Sequence, residues 1–207
     1  METAQLIYNP VFEDDRGTFA PLPLIFGEGK LEILKKNWLQ SNLSVNPKKW
    51  TLRGLHYQSE PYAQTKLVKV ITGKIIDFVI DLRVYSEDFG KCYIFDVTPN
   101  NELYVPKGFA HGFITTEDNT VVQYLVDEEY YKPKEGSIMW SSIPMIVEYL
   151  ENNIDDFNPD EILISEKDKV CQTIMQYIQD VNKPSNDYFV FGPKETEKLK
   201  KVINHYN

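Results

Sequence analysis

Apolar and polar residues alternate through the middle of the chain, between residues 67 and 127. In IIDFVIDLR (75–83), every second residue from Ile76 to Leu82 is apolar. A repeat of two is the spacing of a strand with one buried face, so this stretch predicts a half-buried β-strand. An apolar run just before it is separated from it by Thr72 and Gly73, which predict a turn.

Further short runs, rich in β-branched and aromatic residues, lie at roughly ten-residue spacing on either side. They are LRGLHYQ (52–58), KCYIFDVT (91–98), ELYVP (102–106), GFITT (112–116) and TVVQYLVD (120–127). Regularly spaced short strands are typical of a sandwich or barrel. The sequence therefore predicts a single all-β domain with its core at about residues 5–145.

The pattern changes after Pro144. Residues 151–161 are rich in Asn, Asp and Pro, and predict a loop. Beyond them, apolar residues recur at every fourth position, at Val170, Ile174 and Ile178. This spacing predicts a helix over 165–180, and residues 193–205 predict a second short helix. We expect this C-terminal part to pack over the barrel mouth or against a partner subunit.

Charge and cysteine content narrow the class of protein. A net charge of −9 argues against nucleic-acid or membrane-surface binding. No stretch approaches the roughly eighteen consecutive apolar residues of a membrane span, and the N-terminus does not read as a secretory signal. The two cysteines, Cys92 and Cys171, cannot form a disulfide framework. The expected compartment is the cytoplasm.

Basic residues nevertheless concentrate in one region of this acidic chain. Between residues 48 and 74 the only acidic residue is Glu60, against Lys48, Lys49, Arg53, Lys66, Lys69 and Lys74. A locally basic region on an acidic protein predicts a small anionic ligand.

Two of the three histidines lie in predicted strands beside glycines. His56 follows Arg53 and Gly54, and its imidazole is either a core group held by a hydrogen bond or a general base. His111 in GFAHGF either marks a bend or donates to an anionic ligand oxygen where glycines let the backbone approach. A metal-binding cupin would need a second histidine two residues from His56, but Gly54 and Gln58 stand there, so no metal is expected.

A lysine pair and a tyrosine complete the candidates. Lys66 and Lys69 lie on opposite faces of one strand, so the one that points inward is either a ligand contact, since a buried lysine is costly unless it meets an anion, or a solvated charge at a sheet edge. Tyr124 shares the apolar face of its strand with Val122 and Val126, which places it in the core or at an inner site.

Seven segments together resemble the dTDP-4-dehydrorhamnose 3,5-epimerases. In order they are LRGLHYQ, QTKLVKVITGKIIDFVIDLR, FGK, YVPKGFAHGF, VVQYLV, YYKP and ISEKD, and the resemblance spans about residues 8–168. It implies a cupin-type jelly-roll barrel in a homodimer, acting without metal or nicotinamide cofactor. The implied substrate is a nucleoside-diphosphate 4-keto-6-deoxy sugar, epimerised at C3 and C5 through an enolate.

The resemblance also implies roles for single residues. His56 would be the base, paired with Asp168, while Lys66 would steady the enolate oxygen and Tyr124 would return a proton from the opposite face. The implied substrate-binding residues are Phe12 on the nucleotide base, Arg16 reaching the neighbouring subunit's phosphates, Gln40 and Asn42 along nucleotide and sugar, Arg53 and His111 on the diphosphate, and Tyr131 near the sugar.

One departure from the family pattern and several alternatives stay open. Pro21 stands where the family has a glutamate associated with the pyrimidine, so the nucleotide base is not fixed by the sequence. A mono-epimerase or ketoisomerase on a related sugar would use the same side chains. A non-catalytic sugar-nucleotide binder and a metal-dependent cupin are the alternatives from other classes.

Overall fold

The computed structural model describes residues 2–15, 17–19 and 36–181, which form thirteen strands and two α-helices. The strands are β1 (Gln5–Tyr8), β2 (Phe12–Asp14), β3 (Gly17–Phe19), β4 (Gln40–Asn46), β5 (Thr51–Gln58), β6 (Lys66–Thr72), β7 (Ile75–Asp81), β8 (Cys92–Val97), β9 (Asn101–Val105), β10 (Phe109–Thr115), β11 (Thr120–Val126), β12 (Glu135–Ser137) and β13 (Leu163–Ile164). The helices are α1 (Pro144–Asn153) and α2 (Ile174–Val181). Neither helix is long and apolar enough to cross a bilayer.

Two sheets enclose an apolar interior. The first has the order β1-β9-β6-β11-β4, and the second has the order β12-β5-β10-β7-β8, with β13 added in parallel beside β5. Val68 and Val122 of the first sheet pack with Val79, Phe109 and Phe113 of the second. Each predicted strand is present in this arrangement, which confirms the all-β expectation.

A second apolar cluster lies on the outer face of the second sheet. Phe78 and Ile80 of β7 pack there with Ile146 of α1 and with Ile174 and Ile178 of α2. Every residue of β7 is consequently buried, so the prediction of a half-buried strand is wrong. The error arises because the helices cover the face that would otherwise meet water.

The described C-terminal residues differ from expectation in two ways. Helix α1 was not predicted, and its last turn occupies the start of the expected loop at 151–161. Helix α2 begins at Ile174 rather than at residue 165, because residues 165–171 form an arch with a 3-10 turn, in which Val170 is 84% exposed. The helices cover the outer face of a sheet and not the barrel mouth. The helix expected at 193–205 lies outside the described residues.

Glycines bring β5 and β10 unusually close together. A Cβ atom on Gly54 (φ +102°) would lie 2.7 Å from the carbonyl oxygen of His111, and one on Gly112 would lie 2.6 Å from that of Arg53. The missing side chains therefore let the two strands approach each other closely. His111 is thereby placed directly opposite His56.

Candidate active site

A cavity of about 660 Å³ opens between the two sheets. The second sheet contributes His56 from β5 and His111 from β10, while the first contributes Lys66 from β6 and Tyr124 from β11. Asp168 reaches the same cavity from the arch that follows β13. All four residues expected to act on the proton, together with His111, thus converge although they are far apart in sequence.

A smaller cavity of about 250 Å³ adjoins the first. Both cavities are bordered by His56, Lys66 and Tyr124. The smaller cavity also touches Gln40 and Asn42, which were expected to line a nucleotide sugar. The three shared side chains therefore stand where the two spaces meet.

His56 and Asp168 form a hydrogen-bonded pair. The imidazole Nε2 lies 2.6 Å from Oδ1 of Asp168, whose side chain is only 5% exposed. Burial opposes ionisation of Asp168, but the hydrogen bond and the charge of His56, with a bond from Ser165, hold the pKa of this carboxyl below its usual value. With Nε2–H donating to the carboxylate, Nδ1 is the ring nitrogen that keeps a lone pair to accept a proton.

Lys66 is the inward member of the lysine pair. It is half-buried, and desolvation lowers its pKa to about 8, against the opposing influence of the negative Asp77 and Glu135. Lys69 lies on the other face of β6, with its ammonium 3.6 Å from Oε1 of Glu102. At neutral pH the Lys66 side chain is therefore still mostly an ammonium group, directed at the cavity.

His111 is paired with an aspartate that sequence analysis did not place in the site. Its Nε2 lies 2.8 Å from Oδ2 of Asp77, and both side chains are buried. Burial raises the pKa of Asp77 and lowers that of His111. Because Nε2 is engaged, only Nδ1 is left to contact the expected diphosphate. The available signal was the position of Asp77, on the same face of β7 as Val79, which points into the barrel.

Tyr124 and Arg53 complete the cavity wall. Burial raises the pKa of the Tyr124 phenol, so the hydroxyl keeps its proton at neutral pH. Arg53 donates from Nε to Oδ1 of Asn46 at 2.8 Å, and Asn46 is held in turn by the carbonyl oxygen of Thr120. The guanidinium is thus oriented on the cavity edge with its terminal nitrogens available to an anion.

The positions of the remaining predicted binding residues agree less well with the roles expected of them. Gln40 donates to Asn42 at 2.6 Å on the rim of the smaller cavity. Tyr131 borders neither cavity and stacks on Tyr62 at a centroid distance of 4.2 Å, while its neighbour Tyr130 borders the smaller one. The residue of YYKP that borders the same cavity as His56 and Lys66 is therefore Tyr130.

Phe12 and Arg16 lie at the other end of the chain. Phe12 is 60% exposed on β2 and borders neither cavity. Arg16 lies outside the described residues, as does Pro21.

The basic region at 48–74 separates into two groups. Three of its lysines are paired with acidic side chains: Lys49 with Asp156, Lys69 with Glu102 and Lys74 with Asp96. Of the lysines and the arginine of this region, Arg53 and Lys66 border the larger cavity. Fewer basic residues of this region are thus available to an anionic ligand than the sequence suggested. Among the described residues, no three His, Cys, Asp or Glu side chains are grouped as a metal ion would require.

Sequence analysis also missed a cluster on the rim. Glu135 accepts hydrogen bonds from Nζ of Lys167 at 2.5 Å and from the hydroxyl of Tyr130 at 2.8 Å. Lys167 borders the larger cavity, and Glu135 and Tyr130 border the smaller one. Glu135 and Lys167 come together because β12 and β13 both pair with β5, which the sequence does not reveal.

Comparisons with known proteins agree with this geometry. The family model described as dTDP-4-dehydrorhamnose 3,5-epimerase matches residues 1–176. The enzyme of that name from Shigella flexneri is 37% identical over 156 residues, which are 72% of this chain and 83% of the relative. These matches agree with the resemblance seen in the sequence.

Solved structures extend the similarity to the fold. The Bacillus anthracis dTDP-4-dehydrorhamnose 3,5-epimerase, with TDP and PPi bound, superposes with a TM-score of 0.66 at 33% identity, covering 83% of this chain and 94% of that one. A Legionella pneumophila 3,5-epimerase in complex with dTDP-4-keto-L-rhamnose gives 0.68 at 29% identity, covering 82% and 87%. The expected cupin-type jelly roll is thereby confirmed.

Proposed function

The chain belongs to the dTDP-4-dehydrorhamnose 3,5-epimerase family and is an isomerase of that type, and on this premise we propose that it inverts C3 and C5 of dTDP-4-dehydro-6-deoxyglucose through an enolate. The observation that supports the mechanism is the shared cavity, where a histidine–aspartate pair on one wall faces a lysine and a tyrosine on the other.

The first step is removal of a proton beside the C4 ketone. Nδ1 of His56 takes the proton from C3 or C5, while Asp168 stabilises the imidazolium that forms. The bonding electrons move onto the C4 oxygen, which becomes an enolate. The half-buried ammonium of Lys66 is suited to stabilise that oxygen, because its desolvated position strengthens the electrostatic interaction.

The second step returns a proton to the same carbon from the other side. Tyr124 stands on the first sheet and His56 on the second, so an acid and a base occupy opposite walls. A proton from the phenol reaches the opposite face of the enolate and inverts the carbon. The resulting phenolate and imidazolium exchange protons with solvent, which restores the starting state.

Substrate binding follows from the charges around the cavity. The B. anthracis relative holds TDP and PPi, and in this chain Arg53 is the oriented guanidinium that could grip a diphosphate with two parallel bonds. Gln40 and Asn42 would contact the nucleotide or sugar at the smaller cavity, with His111 at the diphosphate. Phe12 and Tyr131 keep their proposed roles at the base and sugar only if they move on binding.

We also propose a homodimer in the cytoplasm. Leu43 and Val45 on β4 are 66% and 56% exposed and lie on the face of the first sheet that points away from Tyr124, so they offer an apolar surface that a second copy would cover. In such a dimer Arg16 would reach the phosphates bound by the neighbouring subunit.

Deuterium labelling tests the reaction. The protein is incubated with dTDP-4-dehydro-6-deoxyglucose in deuterium oxide, and the sugar is analysed by NMR. We expect label at both C3 and C5 with inversion; label at one carbon would indicate a mono-epimerase, and absence of label would exclude an epimerase.

His56→Ala should lose exchange by about a hundredfold or more at both carbons. Tyr124→Phe should keep exchange through His56 but yield little inverted sugar, and normal inversion would show that Tyr124 is not the acid.

A further inference from the structure

Residues 165–171 form an arch that carries Asp168 across the edge of the second sheet. Upstream, β13 is anchored beside β5 at Thr51 and Leu52. Downstream, Gln172 bridges to Ile138 and its carbonyl oxygen accepts from the backbone N–H of Met139. Between those anchors the backbone of the arch is tied locally, by bonds from the Asp168 and Lys169 N–H groups to the Ser165 carbonyl oxygen. The Gly54 N–H on β5 donates to Oδ2 of Asp168 over a long 3.5 Å. The position of the Asp168 carboxylate therefore depends on side-chain links from the arch to the sheet.

One of those links is made by the residue next to Asp168. Lys167 donates from Nζ to Oε1 of Glu135 at 2.5 Å, and Tyr130 donates to the other carboxylate oxygen at 2.8 Å. The Glu135 side chain is only 16% exposed, so it is fixed on the sheet. Burial opposes ionisation of Glu135, but the bonds from Lys167 and Tyr130 and the charge of His56 hold its pKa below the usual value. The carboxylate is therefore charged and the link is an ion pair.

Glu135 also lies on the strand that flanks the base. In the pairing of β12 with β5, Glu135 is opposite Gln58 and Ser137 is opposite His56. The ion pair thus joins the strand beside His56 to the arch that carries Asp168. A small displacement of either half would lengthen the 2.6 Å bond between the two catalytic side chains.

We infer that Glu135, through Lys167, is a positioning residue that holds Asp168 against His56 during catalysis. This inference rests on the proposed function, because it assigns the pair His56–Asp168 to proton abstraction. Glu135 is not itself required to touch the reacting carbon. Its effect should therefore appear in kcat more than in KM, since a misplaced base slows the chemical step without removing the diphosphate contacts.

The test compares Glu135→Gln and Lys167→Met in the full-length protein, with a matched control on the same arch. Lys169 and Glu166 form an ion pair of similar length, 2.6 Å, but Glu166 is 88% exposed and borders neither cavity. Each ion-pair variant should lower kcat about ten- to a hundredfold. Glu166→Gln should leave kcat unchanged, and Lys167→Arg, which retains the ion pair, should restore most of the rate.

A double-mutant cycle identifies the route of the effect. If Glu135 acts through Lys167, the variant carrying both changes should be no slower than the slower single variant. If the fold-losses in kcat of the two single variants multiply in the double variant, the inference is overturned. A normal kcat in either single variant would also overturn it. Since partly exposed ion pairs contribute little to stability, the melting temperature should fall by no more than about 4 °C. A larger fall at unchanged kcat would show a merely structural contact.

The wild-type enzyme separates this inference from the proposed function. If wild-type protein produces no labelled sugar in deuterium oxide, the epimerase proposal fails. If the wild type is active and His56→Ala is not, while Glu135→Gln matches the wild type, only the positioning role is wrong.

Discussion

At the scale of single residues, the site depends on burying charges that are close to opposite charges. Lys66 is half-buried, and the negative Asp77 and Glu135 favour its ammonium form, while Asp77 is in turn bonded to His111. A desolvated lysine without these anions would lose its proton more readily. The charge of Lys66 is thus maintained by Asp77 from its own segment and by Glu135 from β12.

The pKa of Lys66 predicts an alkaline limit on activity. Because its pKa is lowered to about 8, the ammonium group is lost as pH rises through that value, and the stabilisation of the enolate is lost with it. We therefore expect kcat/KM to decline above about pH 8. The measurement is kcat/KM from pH 6 to 10 in buffers of constant ionic strength, with pH values chosen about that limit.

Lys66→Arg is the control for that assignment. A guanidinium stays charged throughout this range, so the decline near pH 8 should disappear even though the different shape of arginine lowers the rate. A decline at the same pH in Lys66→Arg would assign it to another group.

At the scale of strands and helices, the sequence predicted most strands of the two sheets but not which elements pack on them. The alternation of apolar and polar residues predicts β5 to β11, because the two-residue repeat of a strand is visible in the local sequence. Burial of both faces of β7 was not predictable in this way, since it depends on α1 and α2 packing from far along the chain. Helix α1 did carry a local signal, with Pro144 at its first turn and Ile146 and Leu150 on one face.

The same limit applies to the candidate site. His56 and Lys66 were identifiable as polar residues in predicted strands, while the family resemblance supplied the roles of Tyr124 and Asp168. The helix predicted over 165–180 was wrong where Asp168 turns toward His56, because a tertiary hydrogen bond there replaces helical spacing. Glu135 and Lys167 meet because β12 and β13 both pair with β5, which a local pattern does not encode.

The covering role of α2 gives a prediction about stability. Ile178 is fully buried between α2 and the outer face of the second sheet. Ile178→Ala should lower the free energy of unfolding by about 2–5 kcal/mol, because it removes buried methyl groups and leaves a cavity. Gln179→Ala, at the adjacent exposed position, should change it by less than about 0.5 kcal/mol. Urea denaturation followed by circular dichroism measures both, and equal effects would contradict the packing.

At the scale of the whole molecule, the outer faces of the two sheets differ in what covers them. The outer face of the second sheet is covered by α1 and α2. On the first sheet, the described residues leave apolar side chains exposed: Leu43 and Val45 on β4, and Ile71 on β6. Strand β4 also pairs with β11 alone among the described strands, so it ends the sheet. An uncovered apolar face at a sheet edge is a typical protein interface.

This asymmetry supports the proposed homodimer and predicts how to disrupt it. Leu43→Lys places a charge in the middle of the exposed apolar face, where burial against a second copy would desolvate it at a large cost in free energy. We expect sedimentation equilibrium to show twice the mass of one chain for the wild type and the mass of one chain for Leu43→Lys. Met145→Lys, an exposed apolar position on α1, should leave the dimer intact. A wild-type protein with the mass of one chain at micromolar concentration would contradict the dimer, while a Leu43→Lys protein that stays dimeric would place the interface elsewhere.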